Sequence, residues 1–195
     1  GEGAAPCSEE ARARMARLYV EVFKKTPLMA MVAQIRHGTD LGTGWRCDCF
    51  GDFREKGNDV VPHRLAWNHT MNCYPQMVTA ARAQEAWKRG LVTFETCGVP
   101  MGWYLQKELP YDLAFNLRQG LKYHGSIFMP KSTALPEAWH GPLMDFFKSL
   151  GYRYVLRDFD YQLGVRRGEA FEYILWIENV GVAPLYHDRY RLALK

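Results

Sequence analysis

The sequence contains no apolar run close to the ~18 residues that a membrane-spanning helix requires, and it has no block of lysines and arginines. Its net charge at pH 7 is only +4. We therefore expect neither a membrane span nor a nucleic acid partner, because chains that bind nucleic acid usually carry clustered basic residues. No signal peptide is visible, no internal repeat is apparent, and no motif indicates a cofactor.

Cysteine is scarce and odd in number. There are five cysteines, and this odd count argues against a closed disulfide framework. They include no CxxC pair. We expect buried, reduced thiols that act as small hydrophobic side chains. The alternative is a zinc site built from three cysteines and a histidine, namely Cys47, Cys73, Cys97 and His69. Their spacing fits no standard zinc pattern, so no metal is assigned.

Apolar residues are plentiful, since they make up 48% of the 195 residues. A chain of this kind can bury the core of one ordinary domain. The predicted helices run from the N-cap Ser8 to the Thr26-Pro27 step, from Pro75 to Lys88, from Leu109 to Lys122 and from Leu143 to Leu150. The predicted strands are residues 28–34, 42–51, 91–95 and 126–131. This alternation favours a parallel sheet covered by helices.

From Tyr152 onward the apolar period changes to two, which is typical of antiparallel strands. Four apolar residues of the stretch 170–178 fall on one face: Phe171, Tyr173, Leu175 and Ile177. We expect this row to point inward, against a similar row that begins at Tyr152. Only about three or four strands fit before the sequence stops, fewer than the roughly seven of a sandwich. Residues 152–195 are therefore predicted to form an incomplete antiparallel β domain.

Three segments carry a resemblance to a known family: "HGSIFMPK", "LGYRYVLRDFDY" and "LWIENVGVAPLYHDRYRLAL". They resemble an uncharacterised bacterial family of glycoside-hydrolase-like (β/α)8 barrels with a trailing β-sandwich, and the Asn179-Val180-Gly181-x-Ala183-Pro184 step is its most recognisable part. The opening "GEGAAPCSEEARARMARLYVEVFKKTPLMAMV" is similar to such a barrel from the end of its fourth strand. The implied fold class is α/β, the C-terminal half of a (β/α)8 barrel (residues 1–151) followed by part of an antiparallel β-sandwich. The resemblance further implies that this chain is a fragment of a longer, secreted or cell-surface protein.

The same resemblance implies a pair of catalytic glutamates, Glu2 and Glu95. In the large glycosidase clan that this family is similar to, strand four supplies the general acid/base and strand seven the nucleophile. Retaining enzymes hold the two carboxyl groups about 5 Å apart, and inverting enzymes roughly 6.5–9.5 Å apart. Barrel sites lie at the C-terminal ends of the strands. A carbohydrate groove there is expected to include seven more residues: Trp45, Arg46, Asp48, His69, Tyr74, Trp103 and His124. Two of these, His69 and Tyr74, come from the long irregular stretch 52–74.

Plainer interpretations stay open for these residues. Glu95 could be a solvated strand end, and His124 could be a hydrogen-bonded structural residue. Trp45 and Trp103 could belong to an ordinary core. Two functions therefore remain: a retaining glycoside hydrolase with two glutamates, or a catalytically silent carbohydrate-binding or cell-surface module. An enzyme requires both carboxylates to face one cleft, and neither the sugar nor the oligomeric state follows from the sequence.

Overall fold

The structure is a computed structural model, and the part of the chain that it describes comprises residues 7–31, 34–54, 67–105, 112–131, 134–187 and 190–193. Its architecture is mixed α/β, with a four-stranded parallel sheet and two small antiparallel sheets. The helices are α1 (Glu9–Val22), α2 (Ile35–Thr39), α3 (Tyr74–Ala80), α4 (Pro100–Leu105), α5 (Leu113–Lys122) and α6 (His140–Ser149). The strands are β1 (Met29–Met31), β2 (Gly44–Cys47), β3 (Phe53–Arg54), β4 (Trp67–Asn68), β5 (Val92–Glu95), β6 (Ile127–Met129), β7 (Tyr154–Tyr161) and β8 (Tyr173–Asn179).

The four parallel strands lie in the order β1-β2-β5-β6, so each strand pairs with its successor in this sheet. The register aligns Trp45 with Val92 and Phe94 with Phe128. All four strands fall inside the apolar runs predicted from the sequence, and the prediction of a parallel sheet is confirmed. Within the described ranges this sheet is open at β1 and at β6, and no closed barrel is formed.

The two faces of the parallel sheet differ because alternate residues of a strand point to opposite sides. One face carries Trp45 and Phe94, which pack with apolar side chains of α2, α3, α5 and α6 in the buried core. The opposite face carries Arg46 and Glu95, together with three exposed apolar side chains on the outer strands: Met31, Ile127 and Met129. These helices therefore lie on one side of the sheet, and the charged residues lie on the other.

Local signals set the helix boundaries. The Ser8 hydroxyl accepts a hydrogen bond from a first-turn backbone N–H at 3.2 Å, which confirms the predicted N-cap of α1. The single helix predicted from Pro75 to Lys88 is wrong, because α3 ends at Ala80 and Arg82 follows with a φ of 54°. A left-handed residue cannot continue a right-handed helix. The chain turns there, and only one short helical turn, Ala86–Lys88, remains.

Strands β7 and β8 form an antiparallel hairpin, as the two-residue period predicted. The register pairs Leu156 with Ile177 and Tyr161 with Tyr173, so the predicted apolar row does share one face. The prediction that this row is buried is wrong, since Phe171 and Tyr173 are 48% and 45% exposed. Leu175 and Ile177 are only half-buried. The described part of this sheet has only two strands, and residues 190–193, which alternate like a further strand, are not part of one.

The hairpin is joined to the parallel-sheet region by the segment that begins at Asn179. The Asn179 side chain accepts hydrogen bonds from the backbone N–H groups of Arg153 and Gly181 at 2.9 and 3.1 Å. It also donates one to the carbonyl of Ala183 at 2.9 Å. The N–H of Ala183, a fully buried residue, donates to the Gly151 carbonyl at 2.8 Å. The most recognisable motif of the sequence therefore forms a structural joint.

Candidate functional site

Charged side chains gather at the carboxyl edge of the parallel sheet, where the strands end. Glu95 is the last residue of β5, and Arg46 is next to last in β2. Asp48 directly follows β2, and Lys131 lies shortly after β6. Parallel strands bring these ends to the same edge, which is where sites form in α/β proteins. We call these four residues the carboxyl-edge cluster.

Glu95 lies at the centre of the carboxyl-edge cluster. Its carboxylate contacts the Arg46 guanidinium, and its Oε1 lies 2.6 Å from the Lys131 Nζ. Arg46 Nε also contacts the Asp48 carboxylate at 3.0 Å. The Glu95 side chain is 18% exposed, whereas the Lys131 side chain is 43% exposed. The cluster is therefore a line of alternating charges that is half-buried at Glu95 and open to solvent at Lys131.

These contacts favour the anionic form of Glu95. Two cations bound to one carboxylate stabilise its negative charge and oppose its protonation. A carboxylate in this state can accept hydrogen bonds from hydroxyl groups, stabilise a developing positive charge, or attack an electrophilic carbon. Acid–base chemistry at this edge would use a second acidic group.

Hydrogen bonds from backbone N–H groups connect the segments after β2 and β6 to the end of β5. The Phe50 N–H donates to the Glu95 carbonyl at 2.8 Å, which ties the loop after β2 to the end of β5. The Lys131 N–H donates to the Thr96 hydroxyl at 3.1 Å, which ties the segment after β6 to the same place. The two cluster residues outside the strands, Asp48 and Lys131, therefore stand on segments that are attached to the end of β5 as well as to their own strands.

Two predicted groove residues lie buried beneath the cluster. Trp45 is 2% exposed and stands on the helix-covered face, opposite to Arg46. Tyr74 is 1% exposed, and its hydroxyl donates to the carbonyls of Asp48 at 2.9 Å and Cys47 at 3.2 Å. Burial raises the pKa of Tyr74 above its ordinary value. Contrary to the prediction, neither ring offers a face to a sugar in this conformation, and both support the end of β2.

Two other predicted groove residues, Trp103 and His124, have different surroundings. Trp103, on α4, is half-buried and packs against the hydrophobic core. His124 precedes β6 and therefore stands at the amino edge of the sheet, opposite to the edge that holds Glu95. Its ring stacks on Trp87 with 3.5 Å between centroids, and its Nδ1 lies 2.6 Å from the Val182 carbonyl oxygen. His124 thus belongs to the joint with the hairpin rather than to the predicted groove.

His69 does lie near the carboxyl edge, with its Nδ1 3.9 Å from Asp52 Oδ2. Beside it, a disulfide joins Cys49 to Cys97, which follow the neighbouring strands β2 and β5. The prediction of reduced thiols is wrong for Cys97 and its partner, and the zinc set that included Cys97 is not available in this form. The other three cysteines are free thiols, and burial raises the pKa of Cys47 above its ordinary value.

The predicted acid/base, Glu2, falls outside the described residues. Sequence reasoning missed Lys131, although Lys131 ends the predicted strand 126–131 and the rule that selects Glu95 at a strand end also selects it. It missed the disulfide as well, because no spacing of the cysteines points to Cys49 and Cys97 as partners.

No described helix is long and apolar enough to cross a membrane. No protein-family model matches this chain, and comparisons with curated proteins and with solved structures likewise gave no significant match. The functional proposal therefore rests on the geometry of the carboxyl-edge cluster.

Proposed function

We propose that this chain contributes strands five to eight of a glycoside-hydrolase-like (β/α)8 barrel, and that Glu95 is one of two carboxylates at a carbohydrate site. The strand order supports the proposal, because each strand of a (β/α)8 barrel lies beside its successor, whereas doubly wound sheets reverse direction. The helix layer supports it too, since barrel helices pack only on the outer side of the sheet. The exposed apolar residues Met31, Ile127 and Met129 would then face the barrel interior.

The observation that carries the proposal is the position of the Glu95 carboxylate. It stands at the carboxyl end of a parallel strand, on the face opposite to the helices, between two cations. A solvated strand end needs no such partners. A glycosidase nucleophile must stay ionised next to its substrate, and Arg46 and Lys131 keep Glu95 in that form.

In a retaining reaction, the Glu95 carboxylate would attack the anomeric carbon while an acid protonates the leaving oxygen. A glycosyl ester on Glu95 would result, and water activated by the same acid/base residue would hydrolyse it. Glu2 is proposed for that second role on the resemblance alone. Arg46 and Asp48 would hold Glu95 in place and accept or donate hydrogen bonds to sugar hydroxyls.

Lys131 is the part of the cluster that has to move. Its contact occupies Oε1 of Glu95, while Arg46 contacts Oε2. Because the Lys131 side chain is 43% exposed, its ion pair is expected to contribute no more than about 1 kcal/mol. An entering sugar can therefore displace Lys131 at low cost and free one oxygen of Glu95.

The second candidate is a catalytically silent carbohydrate-binding module. The observation in its favour is that both Glu95 oxygens already contact cations, so the carboxylate can serve as a fixed structural charge. In that case the cluster would bind sugar hydroxyls without forming a bond to carbon. Both candidates use the same edge of the sheet and differ in whether Glu95 reacts.

The test uses Glu95→Gln in the full-length protein, assayed on a panel of aryl glycosides and by calorimetric titration with sugars. Gln keeps the shape of the side chain and removes its charge. We expect hydrolysis to fall by at least about 100-fold while sugar binding persists. Glu178→Gln is the matched control, because Glu178 is also ion-paired, at 2.7 Å to Arg157, but lies on the hairpin. Undiminished hydrolysis by Glu95→Gln would refute the enzymatic role of Glu95. If the parent protein hydrolyses no glycoside and Glu95→Gln loses sugar binding, the silent module is favoured.

A further inference from the structure

Three residues with different donor atoms meet beside the carboxyl-edge cluster: Cys49, Asp52 and His69. We propose that they form a zinc site that the disulfide between Cys49 and Cys97 blocks and that reduction of this disulfide opens. This set shares only His69 with the zinc ligands that the sequence suggested. It uses none of the four residues of the carboxyl-edge cluster, so it does not depend on the proposed carbohydrate function.

The donor atoms of the three residues are already close to coordinating distances. All of them lie within 4.8 Å of one another, and His69 Nδ1 lies 3.9 Å from Asp52 Oδ2. In a tetrahedral zinc site with bonds of about 2.0–2.3 Å, donor atoms stand roughly 3.3–3.8 Å apart. Each pair of donors therefore needs to approach by no more than about 1.0–1.5 Å around an ion.

The backbone holds the three ligands by bonds that do not involve the disulfide. The Asp52 N–H donates to the Cys49 carbonyl, and the His69 N–H donates to the Asp52 carbonyl, each at 3.0 Å. Between them, the Gly51 N–H donates to the Thr70 hydroxyl at 2.9 Å. The β3–β4 pairing begins directly after Asp52 and ends directly before His69. Breaking the disulfide therefore leaves the ligand scaffold attached.

The surroundings suit an ion that enters from solvent. The side chains of His69 and Asp52 are 17% and 30% exposed, so the site is shielded but remains accessible. A thiolate and a carboxylate together carry two negative charges, which balance the charge of Zn²⁺. Zinc commonly binds this mixture of thiolate, imidazole and carboxylate, and sites with three protein ligands leave the fourth position to water.

The switch between the two forms is a balanced exchange. A dithiol reductant supplies two electrons and two protons, the S–S bond breaks, Cys49 and Cys97 become thiols, and the reductant becomes a disulfide. Zn²⁺ then replaces the proton on Cys49, and that proton is released to the solvent. Neutral His69 and anionic Asp52 bind the same ion. In the oxidised protein the Cys49 sulfur cannot form a thiolate, so the site lacks its strongest ligand.

The decisive experiment compares two variants that both lack the disulfide. Cys97→Ser keeps the proposed ligand Cys49, whereas Cys49→Ser removes it. Zn²⁺ affinity is measured by competition with a chromophoric chelator, and Co²⁺ absorption reports thiolate coordination. We expect the parent protein to bind one Zn²⁺ only after reduction, Cys97→Ser to bind one without any reductant, and Cys49→Ser to bind none under either condition.

Further variants assign the remaining ligands and guard against unfolding. Loss of a residue that only hydrogen-bonds to a metal ligand typically weakens metal binding by ~10–100-fold. In the Cys97→Ser background, His69→Ala removes a ligand itself and should weaken Zn²⁺ binding by more than this. Cys73→Ser is the matched control and should leave the affinity unchanged. Near-ultraviolet circular dichroism checks that each variant keeps its tertiary structure. Equal binding by Cys49→Ser and Cys97→Ser, absence of binding by the folded reduced protein, or loss of tertiary structure on reduction would each overturn the proposal.

Discussion

Removal of the disulfide between Cys49 and Cys97 is expected to destabilise the fold strongly. The cross-link joins residues with a sequence separation of 48. The chain entropy that a loop of this size adds to the unfolded state corresponds to about 4 kcal/mol at 25 °C. The hydrogen bond from the Phe50 N–H to the Glu95 carbonyl still connects the two loops, so the native geometry should persist. We therefore expect Cys97→Ser to lower the free energy of unfolding by about 2–4 kcal/mol.

Urea denaturation in metal-free buffer measures this loss. With an m-value of about 2–3 kcal/mol per molar urea, the loss corresponds to a midpoint lowered by roughly 1–2 M. The parent protein in excess dithiol should unfold at the same midpoint as Cys97→Ser, and Cys73→Ser, which removes a free thiol, should stay close to the oxidised parent. Identical midpoints for the oxidised parent and Cys97→Ser would show that the cross-link contributes nothing to stability.

Three further predictions concern packing. Phe94→Ala removes a fully buried ring and should lower the free energy of unfolding in urea by about 3–5 kcal/mol; a loss below 1 kcal/mol would contradict the core assignment. Leu175 is a half-buried residue of the hairpin, so Leu175→Ala should lower the free energy of unfolding by about 1 kcal/mol, less than the roughly 2–5 kcal/mol of a core leucine. A larger loss would show that this face of the hairpin is covered in solution. The exposed apolar residues Ile127 and Met129 on an edge strand should make this chain associate with rising concentration in sedimentation velocity, which a persistent monomer would disprove.

The parallel sheet could be predicted because strand candidates alternate with helical segments over most of residues 1–151, and two of them, 28–34 and 91–95, are continuous apolar runs. Val92 and Phe94, both 0% exposed, come from such a run, and only a strand with a covered face buries residues in this way. Glu95 could be singled out by the same logic, since a carboxylate at the end of a buried strand needs a reason. The start of α1 after Ser8 could also be predicted, because a helix N-cap depends on one local hydrogen bond.

Features that depend on three-dimensional neighbours could not be predicted in this way. The disulfide forms because β2 and β5 are adjacent, which no cysteine spacing encodes. Arg82 ends α3 through a left-handed backbone conformation that is uncommon for arginine. The alternation rule could have placed Trp45 inside and Arg46 outside, but only once the covered face of the sheet was known. The exposure of the hairpin row likewise depends on what packs on it, not on its period.

The central claim, that Glu95 is the reacting carboxylate of a carbohydrate site, is tested most directly by covalent labelling. A 2-deoxy-2-fluoro aryl glycoside lets a retaining glycosidase form its glycosyl ester but slows the hydrolysis of that ester, so the sugar stays attached to the nucleophile. We expect peptide mass spectrometry of the full-length protein to find the fluorosugar on Glu95 and to find none in Glu95→Gln. Label on a different carboxylate, or hydrolysis of the parent glycoside without any label on Glu95, would contradict it.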